Sequence, residues 1–204
     1  MPPFRRSASR SILGLAALVA AALAAFTTTP GRAADDKPVP LQMTKGSELT
    51  PDEEKQVRAT LTHYLEALQG RNWREAAKDL DRQSFLAGVD PLIASISSDS
   101  TTRPGAMRMV FGVGTKDSLN AAPTGDLFAS MMDYIMQLDP GGAALMARAK
   151  FALLGARRMQ DKIHIAYQLT IPAESDSLQP YTRVTAEQLK QVGKDWKIVF
   201  RLGS

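Results

Sequence analysis

The chain contains no cysteine and only two histidines among its 204 residues. The absence of thiols excludes disulfide bonds, thiolate zinc sites, iron–sulfur clusters, cysteine nucleophiles and a lipid-modified cysteine anchor. The sequence also lacks a Gly-rich phosphate-binding loop, a serine in a Gly-x-Ser-x-Gly motif and a paired acid–histidine metal motif. No motif therefore assigns the chain to a nucleotide-binding, serine hydrolase or metalloenzyme class.

Acidic residues are absent from the first 34 positions, where the sequence is typical of an export signal. Three arginines in the first ten residues precede a charge-free apolar run over residues 12–26. That run is shorter than the ~20 apolar residues that a membrane-spanning helix needs. Small residues follow and suit cleavage after Ala33. We predict a cleaved signal peptide over residues 1–33 and a periplasmic or extracellular protein; an uncleaved N-terminal anchor is the alternative.

The excess of positive charge lies in this predicted signal. The chain has 25 basic and 21 acidic residues, and residues 1–33 hold four of the basic residues and none of the acidic ones, which leaves 21 of each sign. Binding to nucleic acid requires a concentrated basic face, and a balanced overall charge disfavours such a face although it allows a local basic patch. We therefore expect no nucleic-acid partner and, after cleavage, no stable membrane insertion. The densest basic group is interpreted as the solvated face of a strand pair: Arg148, Lys150, Arg157 and Arg158.

The mature chain is predicted to consist of a leader and one folded domain. Prolines and charged residues indicate an extended, flexible leader over residues 34–49, and the domain is expected over residues 50–204. Thr50, Pro51 and Glu53 form a helix start with a capping hydroxyl, a first-turn proline and a capping-box acid. Apolar residues then recur at helical spacing until Gly70 ends the run: Val57, Leu61, Tyr64, Leu65 and Leu68.

Two further helical segments are predicted after this helix. A second capping pattern at Asn72 begins a helix whose inner face is Trp73, Ala76, Ala77 and Leu80. A third, shorter helical piece includes Phe85 and Val89 and restarts at Asp90-Pro91. Residues 97–105 are predicted to form a loop.

The middle of the chain gives weaker patterns. Residues 107–113 have strand-like composition, whereas residues 125–138 have apolar residues at helical spacing. The sequence Asp139-Pro140-Gly141-Gly142 is expected to stop that helix.

The last third of the chain is predicted to form antiparallel strands. Residues 162–171 alternate, with the apolar set on one face and His164 on the other. Residues 151–159 and 181–192 are the expected neighbouring strands, and Gly193-Lys194-Asp195 is a short hairpin connection. The apolar face of the final strand is expected to be Trp196, Ile198, Phe200 and Leu202.

This arrangement resembles the nuclear transport factor 2-like superfamily, whose members include ketosteroid-isomerase-like proteins. The resemblance rests on the capped helix, the break at residues 68–73 and the closing sequence over residues 193–200. It covers residues 50–80 and 150–202, while residues 105–145 fit as an embellishment. The resemblance implies an α+β fold in which helices close over a curved antiparallel sheet and leave a cavity. The superfamily contains isomerases, dehydratases, polyketide cyclases and non-catalytic binding domains, so the fold alone does not decide the activity.

Four aromatic residues are the candidate ligand-binding residues, because the expected fold points them into the cavity: Tyr64, Tyr167, Trp196 and Phe200. Such residues also occur as ordinary core residues whose hydroxyl finds one partner. No catalytic residue, metal ligand or cofactor is assigned. The aspartates Asp79 and Asp81 are the remaining acid–base candidates, expected at the end of the second helix near the mouth of the cavity. The alternative for both is an ordinary place at a solvated helix end.

The histidines and methionines give no stronger candidate. On the first helix His63 falls away from the apolar stripe and is expected to face solvent, and His164 is expected on the outer sheet face. Seven of the nine methionines lie between Met107 and Met159. Thioethers select copper(I), but methionine more often fills gaps in a core, and core packing is the favoured interpretation.

The sequence favours an exported, non-catalytic binding or accessory domain that binds a small apolar ligand or a partner protein. The alternative is an isomerase, dehydratase or cyclase that uses the same cavity. An enzyme should place an ionisable group with a hydrogen-bonding neighbour inside the cavity, whereas a binding domain can have an apolar cavity. We also expect a homodimer through the outer face of the strand at residues 162–171.

Overall fold

A computed structural model describes residues 46–96, 101–173 and 180–201. The predicted signal peptide and residues 34–45 of the predicted leader lie outside this part of the chain. The fold is α+β, as predicted, with helices first and a four-stranded antiparallel sheet last. The helices are α1 (Pro51–Gln69), α2 (Trp73–Ala76), a 3₁₀ turn (Ala77–Asp79), α3 (Arg82–Ile96), α4 (Arg103–Phe111), α5 (Lys116–Ala121), α6 (Thr124–Leu138) and α7 (Pro140–Arg148).

Helix α1 begins with the predicted capping box. The Thr50 hydroxyl accepts a hydrogen bond from the Glu53 backbone N–H at 3.3 Å, and the Glu53 carboxylate accepts one from the Thr50 N–H at 3.1 Å. These contacts satisfy two N–H groups that a helix start leaves without a helical partner. The predicted apolar stripe is buried at Val57, Leu61 and Leu65.

The second helical segment is shorter than expected, since α2 has one turn and passes directly into the 3₁₀ turn. Asn72 makes no side-chain capping bond, so that part of the prediction was wrong. The inner face is buried as predicted at Trp73, Ala76, Ala77 and Leu80. The Trp73 indole donates to the Asp133 carboxylate at 2.9 Å, which holds α2 against α6 through burial and a hydrogen bond together.

The sequence predicted that the third helix restarts at Asp90-Pro91. Helix α3 instead continues without a break through Pro91 to Ile96. A proline inside a helix costs about 3 kcal/mol, because it removes a backbone donor and crowds the preceding turn. The buried stripe runs on both sides of the proline and offsets this cost: Phe85, Val89, Leu92 and Ile93.

The prediction of a strand over residues 107–113 was wrong, because α4 occupies Arg103–Phe111. Alternation would place Met107, Met109 and Phe111 on one face, whereas Met109 is 56% exposed and the other two are buried. The buried set Met107, Val110 and Phe111 has helical spacing instead. The loop predicted up to residue 105 therefore ends earlier, and residues 97–100 lie outside the described part.

The predicted helix over residues 125–138 is confirmed as α6. It ends at Leu138 as expected, but a further helix, α7, begins at once because the Asp139 carboxylate caps it through the Gly142 N–H at 2.9 Å. Arg148 lies in α7 and not on a strand pair, which corrects its predicted place. No helix in the described ranges is both long enough and apolar enough to span a membrane.

The strands follow one another in the sheet as β1 (Lys150–Met159), β2 (Lys162–Ile171), β3 (Tyr181–Val192) and β4 (Asp195–Ile198). The alternation of β2 is confirmed, since the predicted apolar face is buried from Ile163 to Ile171. We call this the inner face and the His164 side the outer face. Strand β4 stops at Ile198, earlier than predicted, and Leu202 lies outside the described residues.

The segments that flank the helices and strands, and the middle segment of the chain, also pack onto the domain. Ser47, in the segment predicted as leader, pairs with Arg158 of β1 through backbone hydrogen bonds. Beyond β4, the Phe200 ring packs edge-on against Phe85 and Phe128, with centroids 5.0 and 6.3 Å away. The segment over residues 105–145 contributes to the same core as α1 and the sheet, through Met107, Val110, Phe111, Leu119, Leu127, Phe128 and Met131.

Two helix-interior glycines give a matched test of this packing. A Cβ added at Gly88 of α3 would lie 2.8 Å from the Phe200 ring, whereas one at Gly105 of α4 would meet nothing within 4 Å. We expect Gly88→Ala to destabilise the protein by about 1–3 kcal/mol through overpacking. Gly105→Ala should stabilise it by about 0.5 kcal/mol, because alanine has the better helix propensity.

Urea unfolding of both variants and the wild type measures the two changes. A Gly88→Ala variant as stable as Gly105→Ala would contradict the placement of Phe200 against α3.

Candidate functional site

A glutamate lies on the inner face of the sheet, among apolar residues. Directly opposed residues in antiparallel strands point to the same face. Glu187 of β3 is opposite Ile165 of β2, and Leu189 is opposite Ile163. Since Ile163, Ile165 and Leu189 are fully buried, Glu187 shares the face that the helices cover.

Tyr167 is the hydrogen-bonding neighbour of this carboxyl. Its hydroxyl donates to Glu187 Oε1 at 3.4 Å, a long hydrogen bond between adjacent strands. Burial raises the pKa of Glu187 to about 7, although the Tyr167 hydroxyl and the Arg201 charge favour the ionised form. The carboxyl is therefore able to gain or lose a proton near neutral pH.

The charge of Glu187 also acts on Tyr64 of α1. Burial is the main cause that raises the pKa of its hydroxyl, and the negative charge of Glu187 and the neighbouring Tyr167 add to it. The strand residue Tyr167 has a raised pKa for the same reason, burial first and Glu187 second. We call Tyr64, Tyr167 and Glu187 the inner-face cluster.

The inner-face cluster is desolvated but not sealed. Burial raises the pKa of all three side chains. Even so, Tyr64 and Glu187 are only half-buried, and Tyr167 is 7% exposed. Protein atoms therefore enclose most of the cluster, while Tyr64 and Glu187 keep some contact with solvent.

The other two predicted ligand-binding residues lie elsewhere in the core. Trp196 is buried on β4 beneath the Arg158 guanidinium, whose carbon lies 5.6 Å from the ring centroid. Phe200 packs its ring against Phe85 and Phe128. The structure thus brings Tyr64 and Tyr167 together around Glu187, and a ligand role for all four aromatic residues stays a prediction.

His63 is exposed, as expected, but it is not solitary. Its Nδ1 lies 2.5 Å from Asp79 Oδ2, and its Nε2 lies 3.5 Å from Glu75 Oε1. The hydrogen bond with Asp79 is the main cause that raises the pKa of His63, whereas burial raises the pKa of Asp79 itself. Both carboxylates favour the charged form of this histidine, and their contacts tie α1 to α2 and the 3₁₀ turn.

Asp79 and Asp81 are more buried than the sequence suggested, so their predicted place at a solvated helix end was wrong. The Asp79 side chain is only 14% exposed. Asp81 is buried, accepts the Ser84 backbone N–H at 2.7 Å at the start of α3, and pairs with Lys190 at 2.9 Å. Burial opposes ionisation of Asp81, but these contacts outweigh it and lower its pKa. This arrangement makes Asp81 a structural cap.

The described residues contain no group of three or more His, Asp or Glu side chains placed to hold a metal ion. Among the methionines of the middle segment, Met107 and Met131 are buried in the core, and Met132 and Met136 pack against it. Their position is that of core-filling side chains.

A separate open groove of about 800 Å³ lies between the break after α1 and helix α6. Arg71, Trp73 and Glu75 line it on one side and Asp133 and Met136 on the other. Three of its charged side chains have partners in the protein: Asp133 accepts from the Trp73 indole, Glu75 pairs with Lys78, and Arg74 pairs with Asp126.

Glu187 is the member of the site that sequence reasoning missed. The inward positions of β2 hold no acid, as expected, and β3 has no clear alternation from which to assign its faces. The sequence signal that could have found Glu187 is the short turn at Gly193 and Lys194. This turn pairs Leu189 with Ile198, two apolar residues, on one face of the sheet. Glu187 lies two residues before Leu189 in the same strand and so points to that face. Comparisons with protein-family models, curated proteins and solved structures find no match for this chain.

The two histidines provide a direct test of the electrostatics. The pKa of His63 is raised by Asp79, and the pKa of His164 is lowered by burial and by the Arg201 and Lys162 charges. We expect NMR titration to show His63 protonating at a higher pH than His164. Asp79→Asn should lower the pKa of His63, and Asp126→Asn, at an exposed ion pair of Arg74, should not.

The stabilising effect of His63 should be complete below the pKa of an unfolded histidine and lost as the pH rises through the folded value. A His63 that titrates at or below the pH of His164 would contradict the Asp79 contact.

Glu187 also makes the protein less stable as the pH rises, but for a different reason, because its burial disfavours the charged form. Its folded pKa of about 7 lies above the unfolded value, so ionisation costs stability as the pH rises from about 4.5 to 7. We expect Glu187→Gln to stabilise the protein by about 2–3 kcal/mol at about pH 8 and to give no gain at about pH 4.5.

Urea unfolding at the two pH values measures this difference, and Glu66→Gln, at an exposed glutamate of α1, is the matched control. Equal effects of Glu187→Gln at both pH values would show that the carboxyl is not buried as described.

Proposed function

We propose that the protein is an acid–base enzyme that acts on a small, mainly apolar molecule, with Glu187 as the group that accepts and returns the proton. The observation that supports this proposal is a carboxyl with a pKa of about 7 beside Tyr167 on the covered sheet face. A general acid–base group works best when its pKa is near the operating pH. An ionisable group with a hydrogen-bonding neighbour in that place is the feature that distinguishes an enzyme from a purely apolar binding domain.

The two tyrosines suit such a reaction as hydrogen-bond donors. Their raised pKa values keep both hydroxyls protonated at neutral pH, so each can donate to an oxygen that gains negative charge. Tyr64 belongs to α1 and Tyr167 to β2, and Glu187 influences both. A molecule with one carbonyl or hydroxyl oxygen and an apolar body matches this combination of polar groups and the apolar inner face.

Non-catalytic binding is the second candidate. The inner face around Glu187 is formed mainly by apolar side chains such as Ile165 and Leu153, and these would hold an apolar ligand without any reaction. In that case the inner-face cluster would orient the ligand through one hydrogen bond. The same resemblance to the nuclear transport factor 2-like superfamily supports both candidates, because the superfamily contains both kinds of protein.

Export, a cleaved signal over residues 1–33 and a cone-shaped cavity are part of the proposal. The charge-free N-terminal run and the balanced charge of the remaining chain support export. A homodimer through the outer face is supported by the exposed apolar residue Val184 and by the hydroxyls of Thr170 and Thr182 on that face. Sedimentation that shows a strict monomer at high concentration would contradict the dimer.

The experiment that tests the proposed reaction is deuterium exchange into candidate ligands. A panel of cyclic and aromatic ketones is incubated with the mature protein in D₂O, and NMR follows exchange at the carbon next to the carbonyl. We expect exchange of at least one ketone, with an inflection near pH 7. Loss of the general base in Glu187→Gln should slow it by about 10²–10⁴-fold, and Tyr167→Phe should slow it less.

Glu75→Gln is the matched control, since Glu75 contacts His63 and Lys78 away from the inner-face cluster. Exchange rates that are equal in the wild type and Glu187→Gln for every ketone that binds would contradict proton transfer and favour the binding function.

A further inference from the structure

A second cavity, of about 540 Å³, lies at the outer face where β1 turns into β2. Lys162 and His164 of β2, Gln188 of β3 and Arg201 after β4 line it, together with Ser47 and Gln160. By strand pairing, Lys162, His164 and Gln188 point to the outer face, opposite to Glu187. The cavity is therefore separate from the inner-face cluster.

The charged side chains available in this cavity are all basic. Arg158 also borders it, but its guanidinium pairs with Glu53 and lies over Trp196, so it is engaged on the inner side. Among the described residues that line the cavity, none is Asp or Glu. Arg201 contacts the Gln188 side-chain oxygen at 2.5 Å, a neutral partner, and its charge also acts on the Glu187 carboxyl of the inner face.

The acids near this cavity are paired with other residues or lie outside its lining, and Glu187, which interacts with the Arg201 charge, is on the inner face. Glu48 pairs with Arg157, which is opposite His164 on β1, and Asp81 pairs with Lys190, which is opposite Lys162 on β3. Asp161 is exposed in the turn between β1 and β2 and does not line the cavity. The positive charge of Lys162 and Arg201 is thus concentrated around a half-buried imidazole.

We infer that this cavity binds a small oxyanion, such as a phosphate, sulfate or sulfonate group, between Lys162, His164 and Arg201. The guanidinium of Arg201 supplies a fork of donors that matches an oxyanion, and the Lys162 ammonium supplies a point charge. Ser47 and Gln188 add neutral donors. The ligand class is defined by its charge and oxygen atoms, and the inference does not depend on the proposed reaction at Glu187.

Protonation of His164 is coupled to this binding. Burial and the charges of Arg201 and Lys162 lower the pKa of His164, so the imidazole is neutral at neutral pH in the free protein. An anion between the three side chains offsets those two charges and favours the protonated form, so binding takes up a proton. Affinity should therefore increase as the pH falls.

The test is an NMR titration of the mature protein with sodium sulfate, against sodium chloride at equal ionic strength. Sulfate keeps its charge over the range from about pH 6 to about 7.5, so changes in affinity report on the protein. We expect saturable shifts at Lys162, His164 and Arg201, with affinity at least about threefold higher at the lower pH. Lys162→Gln and Arg201→Gln should each weaken binding by about tenfold.

Lys150→Gln is the matched control, because Lys150 lies on the outer face at the far end of β1. His164→Gln should keep binding but remove its pH dependence. Shifts that do not saturate, shifts reproduced by chloride, or equal weakening by Lys150→Gln would each overturn the inference. Sedimentation with phosphatidylglycerol vesicles distinguishes a lipid headgroup from a free anion, and vesicle binding without saturable sulfate binding would also overturn it.

Discussion

The structure depends on one face of the sheet being covered by helices while the other is not. Along β2 every second residue from Ile163 to Ile171 is buried. Ile163, Ile165 and Tyr167 share one core with Val57, Leu61 and Leu65 of α1, while Leu169 and Ile171 belong to a second, smaller cluster. Burial of this face is the main favourable term in folding, at roughly 25 cal/mol per Å² of apolar surface. A one-residue shift of register would exchange the two faces, so the hydrophobic pattern also fixes which side chains can meet.

That constraint explains why a carboxyl on the covered face has unusual chemistry. Strand pairing places Glu187 next to Ile165, where burial disfavours the charged form, and no described cation forms an ion pair with it. The Tyr167 hydroxyl provides one hydrogen bond but not a counter-charge. The domain therefore keeps an ionisable group in a position that costs stability, and this is a common feature of sites that bind or transform ligands.

Local sequence patterns predicted the elements whose signals are short-range. The capping box at Thr50 and the alternation of β2 specify their elements without any tertiary contact, and both were correct. Errors arose where packing decided between alternatives. Pro91 is accommodated because the residues on both sides of it are buried, and residues 107–111 form a helix because their apolar side chains face the core at helical spacing.

The candidate site was only partly predictable for the same reason. Tyr64 and Tyr167 followed from helix and strand periodicity, but their meeting with Glu187 depends on the pairing of β2 with β3, which no local pattern in β3 reveals. His63 shows the limit in another way, since its position on the exposed side of α1 was correct while its partners Glu75 and Asp79 come from the next element.

The chemistry of the candidate site depends on Glu187, because burial raises the pKa of its carboxyl to about 7. The most direct measurement is a titration followed by ¹³C NMR of the glutamate carboxyl carbons, with the Glu187 signal assigned by its loss in Glu187→Gln. We expect this one carboxyl to titrate at about pH 7. A midpoint near the ordinary glutamate value of about 4.3 would contradict it.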